Sequence, residues 1–211
     1  MEPVFLFDFG SPNAYLAHRL IPGIEARTGV RFRYLPVLLG GLFKLSGNQS
    51  PATAYANVPN KAAYEGREMA RFIAKHNLAA FRWNPYFPVN TLAPMRAAVS
   101  AEALGVLESY VETMFRFMWE DPRKLDEPEV LRTTLLEAGL PADQLLDRAQ
   151  EQEVKDRLLA NTRYAFEQGA FGVPSFLLGD QLYFGKDRLG DVEDELVLET
   201  ACGRVACPPP S

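Results

Sequence analysis

The stretch that decides the fold runs Val4-Phe5-Leu6-Phe7-Asp8-Phe9-Gly10-Ser11-Pro12-Asn13-Ala14-Tyr15-Leu16-Ala17. Its first half is a short apolar run of the kind that forms a buried strand. Gly10 turns the chain over, and Ser11 stands where a helix N-cap belongs. Pro12 takes the first helical position, which tolerates a missing N–H. Strand, tight turn and helix N-terminus together aim unpaired backbone N–H groups and a hydroxyl at one spot, and such a spot favours negative charge. Most serines at a Ser-Pro helix start do no more than cap, so the weight given to Ser11 depends on what distant parts of the chain place beside it.

Working outward, residues 3–9 read as the first strand and about 12–27 as a helix, with Ala14, Leu16, Leu20, Ile21 and Ile24 on or near its buried side and Gly29 as its stop. Val30-Arg31-Phe32-Arg33-Tyr34-Leu35-Pro36-Val37 alternates and is rich in branched and aromatic residues, a second strand. A parallel pair joined by a helix makes a βαβ unit. Residues 38–59 read as an irregular segment, with Gly40-Gly41, Gly47-Asn48 and Ser50-Pro51; loops of that length tend to be functional or mobile. Helical patterning follows for more than a hundred residues, near 60–77, 91–104, 106–119, 127–138, 142–149 and 151–169. Pro88, Pro122, Pro128, Gly139 and Pro141 punctuate it.

After Gly172 the pattern returns to strand: Val173-Pro174-Ser175-Phe176-Leu177-Leu178, a Gly179-Asp180 turn, then Gln181-Leu182-Tyr183-Phe184. This predicts a hairpin, followed by a last helix over about 188–198. The order β-α-β, helical block, β-β-α describes an α/β chain, a thioredoxin-like sheet with an all-helical insertion between its halves. The chain divides as 1–40 (βαβ part), 41–170 (helical insertion), 171–200 (ββα part) and 201–211, a tail whose Cys207-Pro208-Pro209-Pro210 end predicts disorder.

The totals exclude several classes. With 211 residues, 47% hydrophobic and 23% charged, the chain has the composition of an ordinary globular domain. A net charge of -5 with no basic stripe argues against nucleic acid or an anionic membrane as partner. No apolar stretch approaches a membrane span, and Met1 leads almost at once into the first strand with no cleavable signal, so a cytoplasmic protein is expected. The two cysteines, Cys202 and Cys207, match neither a redox C-x-x-C nor a zinc site, and His18 and His76 do not make a metal cluster. Both histidines read as surface or helix-end residues rather than catalysts. Met114, Phe115, Phe117, Met118 and Trp119 read as the core of the helical block, with some of them open to lining a pocket.

Four motifs in order carry a resemblance: Phe7-Asp8-Phe9-x-Ser11-Pro12-x-x-Tyr15-Leu16-Ala17, Phe87-Pro88-x-Asn90-Thr91-x-x-x-Met95-Arg96, Phe171-Gly172-Val173-Pro174-Ser175-Phe176 and Gly185-x-Asp187-Arg188. Over residues 3–198 the chain resembles the 2-hydroxychromene-2-carboxylate isomerases, which belong with the kappa-class glutathione transferases on a DsbA-like thioredoxin fold. The resemblance implies glutathione as cofactor and Ser11 as the catalytic group that contacts its sulfur, in place of a redox cysteine. It also implies that Asn48 and Lys61 lie near the glycyl end and that the backbone of Val173, ahead of a cis Pro174, pairs with the cysteinyl part. Lys186 and Asp187 correspond to the pair at the γ-glutamyl end, although relatives often carry Ser or Asn where Lys186 stands. Tyr86, Phe87 and Asn90 fall in a region that relatives use near the substrate, and Asn90 also reads as a cap for the helix that follows. A homodimer acting on a small aromatic electrophile is the implied assembly and substrate class.

These residue types suit that chemistry. A thiol with pKa ~8.5 is only a few per cent ionised at pH 7, and the thiolate is the nucleophile. A helix N-terminus favours an anion by about 0.3–1 kcal/mol, up to ~2 when partly buried. A hydrogen bond to a charged acceptor adds roughly 1.5–3 kcal/mol. Discounting overlap, about 2–3 kcal/mol corresponds to roughly two pKa units, enough to ionise most of a bound thiol at neutral pH. Three readings follow: an isomerase that regenerates glutathione each cycle, a kappa-like transferase or peroxidase that consumes it, and a thioredoxin-fold binding module without turnover. Thiol-disulfide exchange needs C-x-x-C where this chain has Ser11-Pro12-Asn13-Ala14.

Overall fold

Strand β1 (Val4–Phe7) is buried at every position, as its unbroken apolar run requires for a strand covered on both faces. In the computed structural model, which describes residues 2–204, β1 lies inside a four-stranded sheet of order β2-β1-β3-β4, where β2 is Arg33–Pro36, β3 Ser175–Leu178 and β4 Gln181–Phe184. It pairs parallel with β2 (Leu6 opposite Leu35) and antiparallel with β3 (Phe5 opposite Phe176). The β3–β4 hairpin is antiparallel and turns through Gly179 at φ 58, as the Gly-Asp pair predicts. Helix α1 (Pro12–Thr28) connects β1 to β2 and stops at Gly29, whose φ of 73 suits a residue without Cβ. The sheet and its connections are therefore thioredoxin-like.

Between β2 and β3 lie α2 (Leu39–Ser46), α3 (Pro51–Ala54), α4 (Pro59–Lys75), α5 (Leu92–Ala103), α6 (Leu107–Trp119), α7 (Pro128–Glu137), α8 (Ala142–Arg148) and α9 (Gln152–Glu167). The segment 38–59 was expected to be irregular and instead forms α2 and α3. Gly40-Gly41 disfavours a helix locally, but Leu42 is fully buried, and a side chain at Gly41 would meet the Thr162 methyl of α9 at 3.0 Å. The Leu38 N–H is also bonded to Thr162 Oγ1, at 2.9 Å. Tertiary packing overrides propensity here, and small residues are what allow the approach.

A single 3-10 turn, Lys186–Arg188, leads into α10 (Leu189–Arg204). The last helix was expected to stop near 198; it continues to Arg204, so residues 201–204 are helix rather than tail. Cys207 and the prolines after it lie outside the described residues.

One hydrophobic cluster joins sheet and helices. Phe5, Phe7 and Phe9 from the first strand and its turn share it with Tyr15 and Ile21 of α1, Met95 of α5, and Phe115 and Trp119 of α6. Phe9 meets Phe115 edge-on at 5.0 Å and Tyr110 at 5.9 Å, and Phe81 stacks on Trp119 at 5.9 Å. The expected core residues Met114, Phe115, Phe117, Met118 and Trp119 are all buried. A second cluster, with Leu6, Leu35, Leu42, Val173 and Leu177, fills the other face of the sheet. His18 departs from expectation: it is buried, stacked on Phe115 at 4.9 Å, not on the surface. His76 does end a helix, as the cap residue of α4.

Candidate active site at the head of the first helix

Ser11 is the N-cap of α1, and its Oγ accepts the Ala14 N–H at 3.2 Å, as the Ser-Pro signal predicts. The side chain is buried, and its hydroxyl donates to the Val173 carbonyl at 3.0 Å, a residue 162 positions along the chain. That contact supplies the long-range agreement which Ser11 lacked by itself. Val173-Pro174 is a cis peptide bond, in line with the reading from family resemblance. Among the described residues the Asn13 and Val173 N–H groups have no hydrogen-bond partner. They and the Ser11 hydroxyl are the donors available to an anion or an extended peptide at this point.

The turn that carries Ser11 is fixed from three sides. The Ser11 N–H donates to the Asp8 carbonyl at 3.1 Å. The Phe9 carbonyl accepts the indole N–H of Trp119 at 2.8 Å, which ties the turn to the end of α6. A side chain at Gly10 would meet Thr91 Cγ2 at 3.2 Å and Asp8 Oδ1 at 3.3 Å, so the turn presses on the start of α5 and a Cβ would fit only if those neighbours gave by a few tenths of an ångström. Beneath it, Asp8 is buried, with Oδ1 accepting the Gly10 N–H and Oδ2 the Leu39 N–H, each at 2.8 Å. Burial pushes the Asp8 carboxyl above the usual carboxylate range, while its bonds from Leu39, Gly10 and the Thr91 side chain pull the other way.

Of the other expected residues, Asn48, Lys186 and Asp187 are tied to the segment that holds Val173 and Pro174, while Tyr86, Phe87, Asn90 and Lys61 are placed by other contacts. The Asn48 side-chain amide donates to the Phe171 carbonyl at 2.9 Å, two residues ahead of Val173. The Gly185 N–H donates to the Pro174 carbonyl at 2.9 Å, which sets Lys186 and Asp187 beside the cis bond. Lys186 is buried; its ammonium bonds both Asp187 oxygens, at 2.8 and 2.9 Å, and lies 4.5 Å over the Phe72 ring. A ligand amine would share the Asp187 carboxylate with Lys186. Tyr86 and Phe87 are exposed, in the segment leading to Thr91. The Asn90 side chain accepts the Leu92 N–H at 3.0 Å, so it orders the entry to α5, although Thr91 is the N-cap residue. Lys61 is exposed and stands 3.7 Å over the Tyr55 ring; no contact joins it to the rest.

Sequence reasoning gave no role to Asp8 or Asn84, read Trp119 only as core, and took His18 for a surface or helix-end residue. Asn84 is buried and bonds the Met118 and Arg123 carbonyls at 3.2 and 3.0 Å while accepting the Tyr86 N–H at 2.9 Å, which fixes the exposed aromatic segment to the end of α6. Trp83 lies beside it, 58% exposed and 6.1 Å from the Trp119 ring. An aspartate inside the apolar run Phe5–Phe9 was the one available signal for Asp8, because a charge in a buried strand end needs donors around it.

A thioredoxin-like sheet, a helical insertion sharing its core, and a serine at the head of α1 facing the residue ahead of a cis proline define the DsbA-like class of thioredoxin-fold proteins. The chain belongs to the DSBA-like thioredoxin domain family, whose model matches residues 4–197. It is 28% identical over 204 residues to a 2-hydroxychromene-2-carboxylate isomerase of Sphingobium xenophagum, covering 92% of this chain and 96% of that protein. It is 26% identical over 196 residues to glutathione S-transferase kappa 1 of Rattus norvegicus, covering 87% and 85%. A solved structure of 2-hydroxychromene-2-carboxylate isomerase superimposes with a TM-score of 0.73 at 24% identity, over 98% of this chain and 96% of that one, which is a likeness of fold. Relationship to isomerase and glutathione transferase enzymes is thus established.

Proposed function

We propose that this protein is a glutathione-dependent isomerase of the 2-hydroxychromene-2-carboxylate type, acting on a conjugated aromatic electrophile in aromatic-compound breakdown. The observation that carries the reading is the Ser11 hydroxyl at the α1 N-terminus, bonded to Val173 ahead of Pro174, where a redox protein would need cysteine. The relatives' names, isomerase and glutathione transferase, agree with it.

The residues at the turn fit a bound tripeptide thiol. Glutathione, when bound, supplies the nucleophilic sulfur that residues 11–14 lack. Ser11 releases the Val173 carbonyl and turns its O–H toward that sulfur, adding one hydrogen bond to the field of the helix N-terminus. The Val173 N–H pairs with the peptide backbone, Asn48 and Lys61 take the glycyl end, and Asp187 with Lys186 takes the γ-glutamyl end. Tyr86, Phe87 and Asn90 border the electrophile. The protein acts as a cytoplasmic homodimer in this reading.

The test is turnover of a chromene carboxylate with glutathione, alongside calorimetric glutathione binding. Ser11→Ala is expected to lower kcat by about two orders of magnitude, the loss of one charged hydrogen bond of roughly 1.5–3 kcal/mol, while glutathione affinity falls only a few-fold. Wild-type turnover in that variant would refute the assignment. The kappa-like transferase is the second reading, favoured by the 26% identity to that enzyme. Free glutathione stays constant during an isomerisation and falls stoichiometrically during a transfer, so titrating thiol against product separates the two.

A further inference from the structure

We infer that Asp8 is a positioning residue that sets the serine turn and both ligand-facing arms of the site in register. The inference rests on the glutathione reading only for the identity of the ligand. Asp8 stands just past the end of β1 with its side chain buried, two segments bond its two oxygens, and a third, the head of α5, packs against the same turn. Oδ1 takes the Gly10 N–H, next to Ser11, at 2.8 Å. Oδ2 takes the N–H of Leu39, the first residue of α2, at 2.8 Å, and α2 leads directly to Asn48. The Thr91 side chain, at the N-cap of α5, packs against the same turn and draws the Asp8 carboxyl downward, and the preceding residues are Tyr86, Phe87 and Asn90.

The chemistry needs an acid rather than an amide. Two backbone N–H groups donate to one buried side chain, one to each oxygen, and only a carboxylate offers two acceptor oxygens. Asparagine would turn an NH2 toward one of the amides and leave a buried donor facing a donor, which costs more than losing the bond. Asp8 touches neither ligand in this arrangement. Its effect passes through the three backbone segments, and a shift of about 1 Å in a reacting group is enough to slow a reaction a hundredfold.

Asp8→Asn and Thr91→Val separate the arms. In Asp8→Asn, amide exchange is expected to rise at least tenfold at Gly10 and across residues 39–48, with the β1–β3 amides unchanged. Glutathione Kd is expected to rise about tenfold, and KM for the electrophile to rise with it. In Thr91→Val, only the electrophile KM rises, about threefold, and the glutathione Kd stays within twofold of wild type. A role in stability alone would lower the melting temperature and the active fraction and leave Kd and KM where they were. Unchanged exchange at Gly10 and Leu39, or faster exchange with an unchanged Kd, would overturn the inference. If Asp8→Asn does not fold, Thr91→Val decides: an electrophile KM equal to wild type overturns it. If wild-type protein binds no glutathione, the functional reading fails, and the exchange pattern still decides whether Asp8 joins the three segments.

Discussion

The Ser11 hydroxyl already has an acceptor in Val173, so what glutathione binding gains from it is a difference between two bonds, whereas an anionic sulfur once bound loses a whole one when the hydroxyl is removed. That is why a loss of turnover with nearly retained binding is the expected signature of Ser11→Ala. A second residue-scale feature lies away from that turn. His18 Nε2 meets Glu112 Oε2 at 3.0 Å, and Arg19 bonds the other oxygen at 2.7 Å, while His18 Nδ1 faces the Tyr34 hydroxyl at 2.9 Å. The hydrogen bond from His18 and the charge of Arg19 depress the Glu112 carboxyl to about 2. A carboxyl depressed on folding stabilises the native state fully above its unfolded value and loses that contribution as pH falls through its folded one. The window is therefore from 4.5 down to about 2. Thermal melts of wild type and Glu112→Gln should differ at pH 6 and converge as pH falls through that window; an equal gap at pH 2 and pH 6 would disprove the pairing. Its size is small, because Glu112 is 54% exposed and solvent screens the pair.

At the scale of elements, the helix that departs most from its sequence is α2. Its glycines make a poor helix in isolation, and it forms because Leu42 is buried and Gly41 sits against Thr162 of α9. The Thr162 hydroxyl accepts the Leu38 N–H and donates to the Leu158 carbonyl at 2.8 Å, so its methyl cannot rotate aside. Gly41→Ala sets two effects against each other. Helix propensity favours alanine by about 1 kcal/mol, whereas overpacking a rigid contact costs typically 1–3 kcal/mol. With Thr162 pinned, the second wins: the variant should melt several degrees lower, and glutathione binding should weaken because α2 carries Asn48. A raised melting temperature would show that α9 yields. Helix α4 behaves oppositely: it is long and strongly amphipathic yet buries no residue, and only Met69, Phe72 and Ile73 lean on the core.

For the molecule as a whole, the sequence divides at 41–170, but the packing does not. Phe7 and Phe9 contact Phe115, Tyr15 contacts Phe81 at 5.9 Å, and the Phe9 carbonyl is bonded by Trp119. Sheet and helical block share one cluster of buried side chains, so neither half has a complete core alone. Calorimetry should therefore give one unfolding transition, with calorimetric and van't Hoff enthalpies equal. Two resolved transitions would mean that the insertion folds by itself. No helix among the described residues is long and apolar enough to cross a membrane.

The sequence by itself determined what depends on neighbours along the chain. It specified the strand–turn–helix start with Ser11 as cap, the Gly29 stop, the Gly179 hairpin and nearly every helix between Pro59 and Glu167. Each of these rests on local backbone geometry and hydrophobic period, which a short window contains. The four motifs also carried the family, because spacing survives where overall identity has fallen to 28%. Only the tertiary structure decided which distant groups meet the turn. Asp8, His18 and Asn84 look like isolated polar residues in the sequence, and their roles come from donors and acceptors 31, 94 and 34 positions away. A buried polar group is defined by its partners, and burial itself is a property of the packed chain.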